Sequence, residues 1–500
     1  MKVDVPKKNA TQTARGMRRR QWLRETAAAI LGSSAARALA AGGGLVPLLE
    51  ASEASAEPLR QPSELVGPLI ATPGTGAVWS GRSTSLLTFG GTYPSPTLRA
   101  RRGETFELLL QNRLAEATNI HWHGLAVPAE VDGYPTDLVL PGGARQYRFQ
   151  IAQSAGTYWY HPHPDGRTAA QVYRGMAGFF IVEDDAERAL GLPAGEQDVA
   201  LLLQDRRRAS DNSLTYAPTP MDLMSGYLGN TVLVNGTPDA ELPVAATRYR
   251  FRLLNGSNAR IFRVAFGDNR AFDVIAGDGG LLERAVTTNA IFLAPGERAE
   301  ILMDFSRDPA GASVPMISAP FTVRGGGMGM GMGMGGSSQG ASASLLRLVV
   351  GRAGPASAPL PTRLASIERP DPARAQVQRR FVMDMRMPPF AGAFTINARS
   401  FDASRVDVRV ERGVLEVWEI VNVSTEPHPF HVHATQFQVV SRSSGPLEPH
   451  ELGLKDTVLV WPGETVRIAI RFDAHAGLYV LHCHNLEHED AGMMLNLEVL

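Results

Sequence analysis

AGLYVLHCHNLEHEDAGMM (residues 476–494) sets Cys483, the only cysteine among 500 residues, between His482 and His484, and follows it with His488, Met493 and Met494. A lone cysteine is most simply a small buried hydrophobe. These neighbours give it another use. One thiolate and two imidazoles in a plane, with a thioether at a long axial distance, make up the donor set of a blue copper site. Cys483, His488 and Met493 supply three of those donors, and one more imidazole is required.

The frame AG-x-Y-x-x-H-x-H of this stretch also occurs far upstream, as AGTYWYHPH (155–163). Each copy is preceded by a second matching pair: ETFELLLQN and NIHWHG within 104–124, and LEVWEIVN and PHPFHVH within 415–433. Between them lie LPGGARQYRFQI (140–151) and WPGETVRIAIRF (461–472), each a turn followed by an alternating strand. A third copy, TRYRFRLLNGSNARIFRVAF (247–266) with APGERAEILMDF (294–305), keeps the strands and turns but has no histidine, and so reads as a spacer. Short β-branched and aromatic runs broken by Gly, Pro and Asn, with almost no helical period, predict an all-β chain of three antiparallel sandwiches. The expected domains are 57–187, 188–355 and 356–500, with junctions at the charged loop near 186–196 and at GRAGPASAPLPTR (351–363).

Four H-x-H pairs stand out: His121 and His123, His161 and His163, His431 and His433, His482 and His484. Residues two apart on a strand share a face, so each pair offers two imidazoles to one site. Cys483 lies between the members of a pair and points the other way, as does His428, three positions before His431. His428, Cys483, His488 and Met493 therefore face one site and eight histidines another, leaving only His450 and His475 of the twelve.

The composition, 44% hydrophobic and 20% charged, suits a globular chain of several domains. Lys+Arg 49 against Asp+Glu 50 gives a net charge of -1, which favours neither nucleic acid nor an anionic membrane surface as partner. RRRQWLR (18–24), an alanine-rich run and ASA (54–56) read as a twin-arginine export signal over residues 1–56, with Arg19 and Arg20 as the pair. The twin-arginine machinery would deliver the folded chain to the periplasm or another exported location. There a single cysteine has no partner within the chain to mispair with. No later stretch approaches ~20 consecutive apolar residues, so the mature protein is expected to be soluble and outside the membrane; a monomer is the expected state.

The segments HWHG, HPH, HPFHVH and HCHNLEHEDAGMM resemble the four copper-binding motifs of three-domain multicopper oxidases, the laccase-like group. All four motifs are intact, and the likeness covers essentially the whole chain after the signal. It implies three consecutive cupredoxin-like Greek-key β-sandwich domains and four copper ions. Type 1 copper would take His428, Cys483 and His488, with Met493 axial; type 2 would take His121 and His431; the two type 3 ions would take His123, His161, His163, His433, His482 and His484. The three-copper cluster would lie between the first and third domains. By the same resemblance a reducing substrate gives up electrons singly at the type 1 site. The bonded path from Cys483 to His482 and His484 carries them on, and O2 is reduced to two waters. Asp132 in EVDG and Glu489 after His488 resemble acids that supply protons near the cluster, with hydrogen bonding around the ligands as the alternative role.

Other readings are weaker. Structural zinc closes at four ligands and needs fewer imidazoles. A copper nitrite reductase would carry its cysteine in the first module, where Pro162 stands. A copper carrier without catalysis remains an alternative. For substrate, GGGMGMGMGMGG (325–336) places Met328, Met330, Met332 and Met334 on a glycine-rich tract, and thioethers are soft donors that select Cu(I). Cu(I) oxidation for copper tolerance is therefore expected, with phenols as the alternative donor. Cuprous oxidases of the copper-efflux type, which the chain also resembles, usually hold the substrate ion with an Asp and a nearby Met. Here FDAS (401–404) offers Asp402 with Ser404, and Asp384 with Met385 is a second candidate. Met383, Met385 and Met387 in FVMDMRM alternate, as one apolar strand face would.

Overall fold

In the computed structural model, the described residues are 56–79, 82–323, 338–386 and 392–500. Residues 1–55 of the expected export signal, the methionine tract and Met387 lie outside them. The alternating runs become strands. Thr105–Asn112 turns Leu108 and Leu110 inward, while Glu416–Asn422 is buried along nearly its whole length, with Trp418 fully enclosed.

Six sheets pair into three sandwiches, each closed on its own hydrophobic core. The first core gathers Leu69, Phe89, Trp122, Tyr160 and Phe180; the second Leu201, Phe251, Val264, Ile301 and Leu348; the third Phe381, Trp418, Phe430, Ile468 and Leu481. The two-residue strand Glu57–Pro58 pairs with Ala240–Ala246 and sends Leu59 into the second core, so the start of the described chain is tied to the middle sandwich.

The sheets are mixed rather than antiparallel, which corrects the sequence expectation. Each contains a parallel neighbour, such as Leu69–Trp79 beside Thr105–Asn112 and Val377–Met385 beside Glu416–Asn422. Turn signals in a sequence report hairpins. Parallel neighbours need a longer crossover between them, and no local signal marks that.

The two histidine-bearing sandwiches repeat the same register. His121–His123 lies against Gly156–His161 with His121 opposite His161, and His428–Val432 lies against Gly477–Cys483 with His431 opposite His482. The short helix Leu486–Asp490 joins all three sandwiches. Asp490 accepts from the backbone N–H groups of Thr168 and Ala169 at 3.0 Å, and Glu487 accepts from Tyr227 N–H at 2.9 Å and Asn258 Nδ2 at 2.8 Å. Among the described residues no helix is long and apolar enough to cross a membrane.

Candidate metal centre

Strand alternation separates two pockets about one backbone. On one face of Gly477–Cys483, the Cys483 sulfur lies 3.4 Å from His428 Nδ1 and 3.7 Å from His488 Nδ1, and those two nitrogens are 3.1 Å apart. His488 comes from the helix after the strand, and Phe394 stacks on its ring. The Met493 carbonyl accepts from Cys483 N–H at 3.0 Å, and its side chain is buried in the same core as Cys483. On the other face, His482 and His484 join His121, His123, His161, His163, His431 and His433, all buried.

Hydrogen-bond partners fix most of the tautomers. Nδ1 of His121 donates to the Asp132 carbonyl at 2.9 Å, that of His431 to the Asp456 carbonyl at 2.8 Å, that of His161 to the Pro162 carbonyl at 2.9 Å, and that of His482 to the Cys483 carbonyl at 3.1 Å. His433 donates from Nδ1 to Asp132 Oδ2 at 2.7 Å. Each of these rings therefore carries its lone pair on Nε2. Those lone pairs face one another: His121 and His431 at 3.4 Å, His433 and His482 at 3.1 Å. Two acceptors cannot hydrogen-bond each other, and buried acceptors without donors are costly. The same holds across the strand, where Nε2 of His428 is bonded to Ser424 Oγ at 2.7 Å and Nε2 of His488 donates to the Met224 carbonyl at 3.0 Å, leaving two Nδ1 atoms in contact beside a sulfur. His161 Nε2, His123 Nδ1 and both nitrogens of His484 are buried with no hydrogen-bond partner. Convergent lone pairs and orphaned nitrogens are what bound cations would satisfy, and soft sulfur with imidazole suits copper. His121 with His431 and His433, His163 with His433 and His482, and His428 with Cys483 and His488 each bring three donor atoms close enough to share one ion.

Burial keeps eight of these imidazoles in the neutral, metal-binding form. It holds His123, His161, His428, His431 and His433 well below the ordinary histidine value, with neighbouring imidazoles adding to the effect for each of them. His163 and His488 fall to about 4 and His484 to about 3, again through burial first. Burial also raises the Cys483 thiol, so a nearby cation is needed to make it a thiolate.

Asp132 and Glu489 both reach the histidine pocket. Asp132 bonds His433, and Glu489 places one oxygen 3.4 Å from His163 Nε2 and the other 3.1 Å from His482 Nδ1. The Asp402 carboxylate is half-exposed, accepts from Ser404 N–H at 3.0 Å and Ser404 Oγ at 2.7 Å, and faces Arg405. Met383 and Met385 are core residues of the third sandwich, as one strand face requires.

The middle sandwich is more than a spacer. Its Met224 carbonyl caps His488, and its Gly296, at φ +85°, packs so closely that an added Cβ would lie 3.1 Å from His123 and His484. Its Arg298 holds Asp456, whose Oδ1 is 3.0 Å from His123 Nε2. Neither Arg298 nor Asp456 could be picked out by sequence reasoning, because a single Arg in APGERAE and a single Asp in LKDT carry no spacing signal.

Comparison with known proteins gives the same architecture. Multicopper oxidase family models match residues 72–187, 208–318 and 369–500. A multicopper oxidase of Staphylococcus haemolyticus is 33% identical over 436 residues, covering 86% of this chain and 88% of that protein. The crystal structure of the multicopper oxidase McoA of Aquifex aeolicus superposes with a TM-score of 0.80 at 36% identity, covering 89% of this chain and 99% of that one. A Campylobacter jejuni multicopper oxidase described as a metallo-oxidase gives a TM-score of 0.77 at 30% identity, over 89% of this chain and 95% of its own.

The buried imidazoles make the metal-free protein acid-sensitive. Their folded values lie below the unfolded value of about 6.5, so between about pH 6.5 and 4 the unfolded chain binds protons that the folded chain cannot. Stability is then present above that window and falls as pH falls through it. The urea midpoint of metal-free protein should drop between about pH 7 and pH 5. A midpoint that is flat or rises on acidification would contradict the assignment of these histidines as buried and neutral.

Proposed function

This chain belongs to the multicopper oxidase family, and on that premise we propose that it couples one-electron oxidation of Cu(I) to the reduction of O2 to two waters. The observation that carries this reading is the strand Gly477–Cys483, which turns a thiol toward two acceptor imidazoles on one side and His482 and His484 into the histidine pocket on the other. In the proposed arrangement of four copper ions, His428, Cys483, His488 and Met493 would hold the type 1 ion and His121 with His431 the type 2 ion, and His123, His161, His163, His433, His482 and His484 would hold the type 3 pair. Copper there would supply the redox chemistry, collecting electrons singly and delivering four to O2.

The remaining roles belong to the chain. Peptide bonds on either side of Cys483 join the sulfur to His482 and His484, the shortest covalent link between the pockets. Complete burial of both pockets excludes bulk water. Glu489, between His163 and His482, and Asp132, at His433 Nδ1, are placed to hold protons beside the imidazoles where oxygen is reduced.

Cu(I) as substrate is supported by the methionine tract at 325–336 and by the enclosure of the sulfur pocket. Both of its imidazoles are fully buried, with their outer nitrogens taken by Ser424 and the Met224 carbonyl, so no ring edge is open to a phenol. The metallo-oxidase description of the Campylobacter relative agrees. The methionine tract is the proposed collector. The twin-arginine signal would place the protein, as a monomer, in the periplasm or another exported location, where Cu(I) oxidation would confer copper tolerance.

Three experiments test this reading. Cys483→Ser should abolish the intense visible absorption and the oxidase activity while the histidine pocket still takes up copper; a blue, active variant would refute the ligand assignment. Glu489→Gln and Asp132→Asn should keep copper content but slow reoxidation of the reduced enzyme by O2, and unchanged rates in both would leave these acids a structural role. Deleting residues 325–336 should lower oxygen uptake with Cu(I) more than with 2,6-dimethoxyphenol. Equal effects would make the tract a linker, and a wild-type preference for the phenol would make the enzyme a laccase.

A further inference from the structure

Arg298, from the sandwich that has no histidine, reaches all three sandwiches. Its Nε donates to the Thr157 carbonyl at 3.1 Å. Nη1 donates to the Gly296 carbonyl at 2.8 Å and to Asp456 Oδ1 at 2.7 Å, and Nη2 to the Asp278 carbonyl at 2.9 Å and to Asp456 Oδ2 at 2.5 Å. A guanidinium has five N–H donors, and here all five are used, two of them in a bidentate grip on one carboxylate. Arg298 and Asp456 are both fully buried. Space for the pair comes from Gly124 of the HWHG turn, at φ +89°, where an added Cβ would lie 2.6 Å from Arg298 Nη2 and 2.7 Å from Asp456 Oδ2.

Asp456 uses this fixed position on two imidazoles at once. Its Oδ1 accepts from His123 Nε2 at 3.0 Å, and its backbone carbonyl accepts from His431 Nδ1 at 2.8 Å. For His123 the consequence is specific. With the proton held on Nε2, the lone pair lies on Nδ1, which is buried and otherwise unpartnered. His121, His161, His431, His433 and His482 are held the opposite way round, with Nε2 as the free atom.

We propose that Arg298 and Asp456 are positioning residues of the copper cluster: the middle sandwich, through Arg298, fixes the carboxylate that decides which nitrogen of His123 faces the metal. This rests on reading the histidine pocket as a copper cluster. Outer partners of metal-bound histidines set tautomer and orientation, and losing one typically weakens metal binding about 10- to 100-fold. Arginine is required because lysine has three donors and no planar fork, so Arg298→Lys keeps the charge and loses the grip.

The test uses full-length, copper-loaded protein carrying Asp456→Asn, Arg298→Lys or Gly124→Ala. Copper per chain, release of copper to a chelator, the visible band of the Cys483 site and the metal-free melting temperature are all measured. The expected result is an unchanged visible band, with cluster copper lost to chelator about 10- to 100-fold more readily in Asp456→Asn and a like defect in the other two. If cluster copper is held as firmly as in wild type in both Asp456→Asn and Arg298→Lys, the proposal fails. It fails equally if the visible band and the metal-free melting temperature collapse in parallel with the cluster, since the pair would then serve only to hold the sandwiches together. Wild-type protein that takes up no copper at the histidine pocket would instead overturn the cluster reading, and this proposal with it.

Discussion

The two-residue period of an extended strand is the constraint on which the rest of this molecule depends. Because side chains alternate across Gly477–Cys483, a sulfur can serve one pocket while the imidazoles on either side of it serve another, with only peptide bonds between. The register carries the pattern across the sheet, since His431 lies opposite His482 and Phe430 opposite Cys483. Shifting that pairing by one residue would send each donor to the wrong face. The three cores and the helix Leu486–Asp490 keep the register from slipping, with Asp490 and Glu487 bonded to backbone and side-chain donors of the other two sandwiches.

Around the pockets, burial is used in two opposing ways. It strips water from His431 and His433 and holds them neutral, with their Nε2 atoms turned toward those of neighbouring imidazoles. The same burial would be ruinous for lone charges, and two buried cations nearby are each paired. Arg298 is gripped to Asp456, and Lys455 lies between Asp278 and Glu297 at 2.8 and 3.2 Å. Such pairs add little net stability, but breaking one strands a charge, which suits them to fixing geometry rather than strengthening the fold.

Much of this was legible in the sequence because it obeys simple periods. The H-x-H pairs announced a shared face, the cysteine between two histidines announced a second pocket, and the repeated AG-x-Y frame announced related modules. What the sequence hid was contact between segments distant along the chain. Parallel strand neighbours leave no turn signature. A backbone carbonyl, such as that of Met224 on His488, has no residue type to betray it. Arg298 and Asp456 are 158 residues apart and belong to no pattern, and so the middle module, lacking histidine, looked like a spacer while supplying the residue that spans all three sandwiches.

The central claim is that one strand divides its donors between two metal pockets. A crystal structure of copper-loaded protein, with diffraction recorded on both sides of the copper absorption edge, measures this directly. The account predicts one anomalous peak beside Cys483 Sγ, His428 and His488, and three more among the eight histidines across the strand. A peak that bridges Cys483 to His482 or His484, or a histidine pocket without copper, would contradict it.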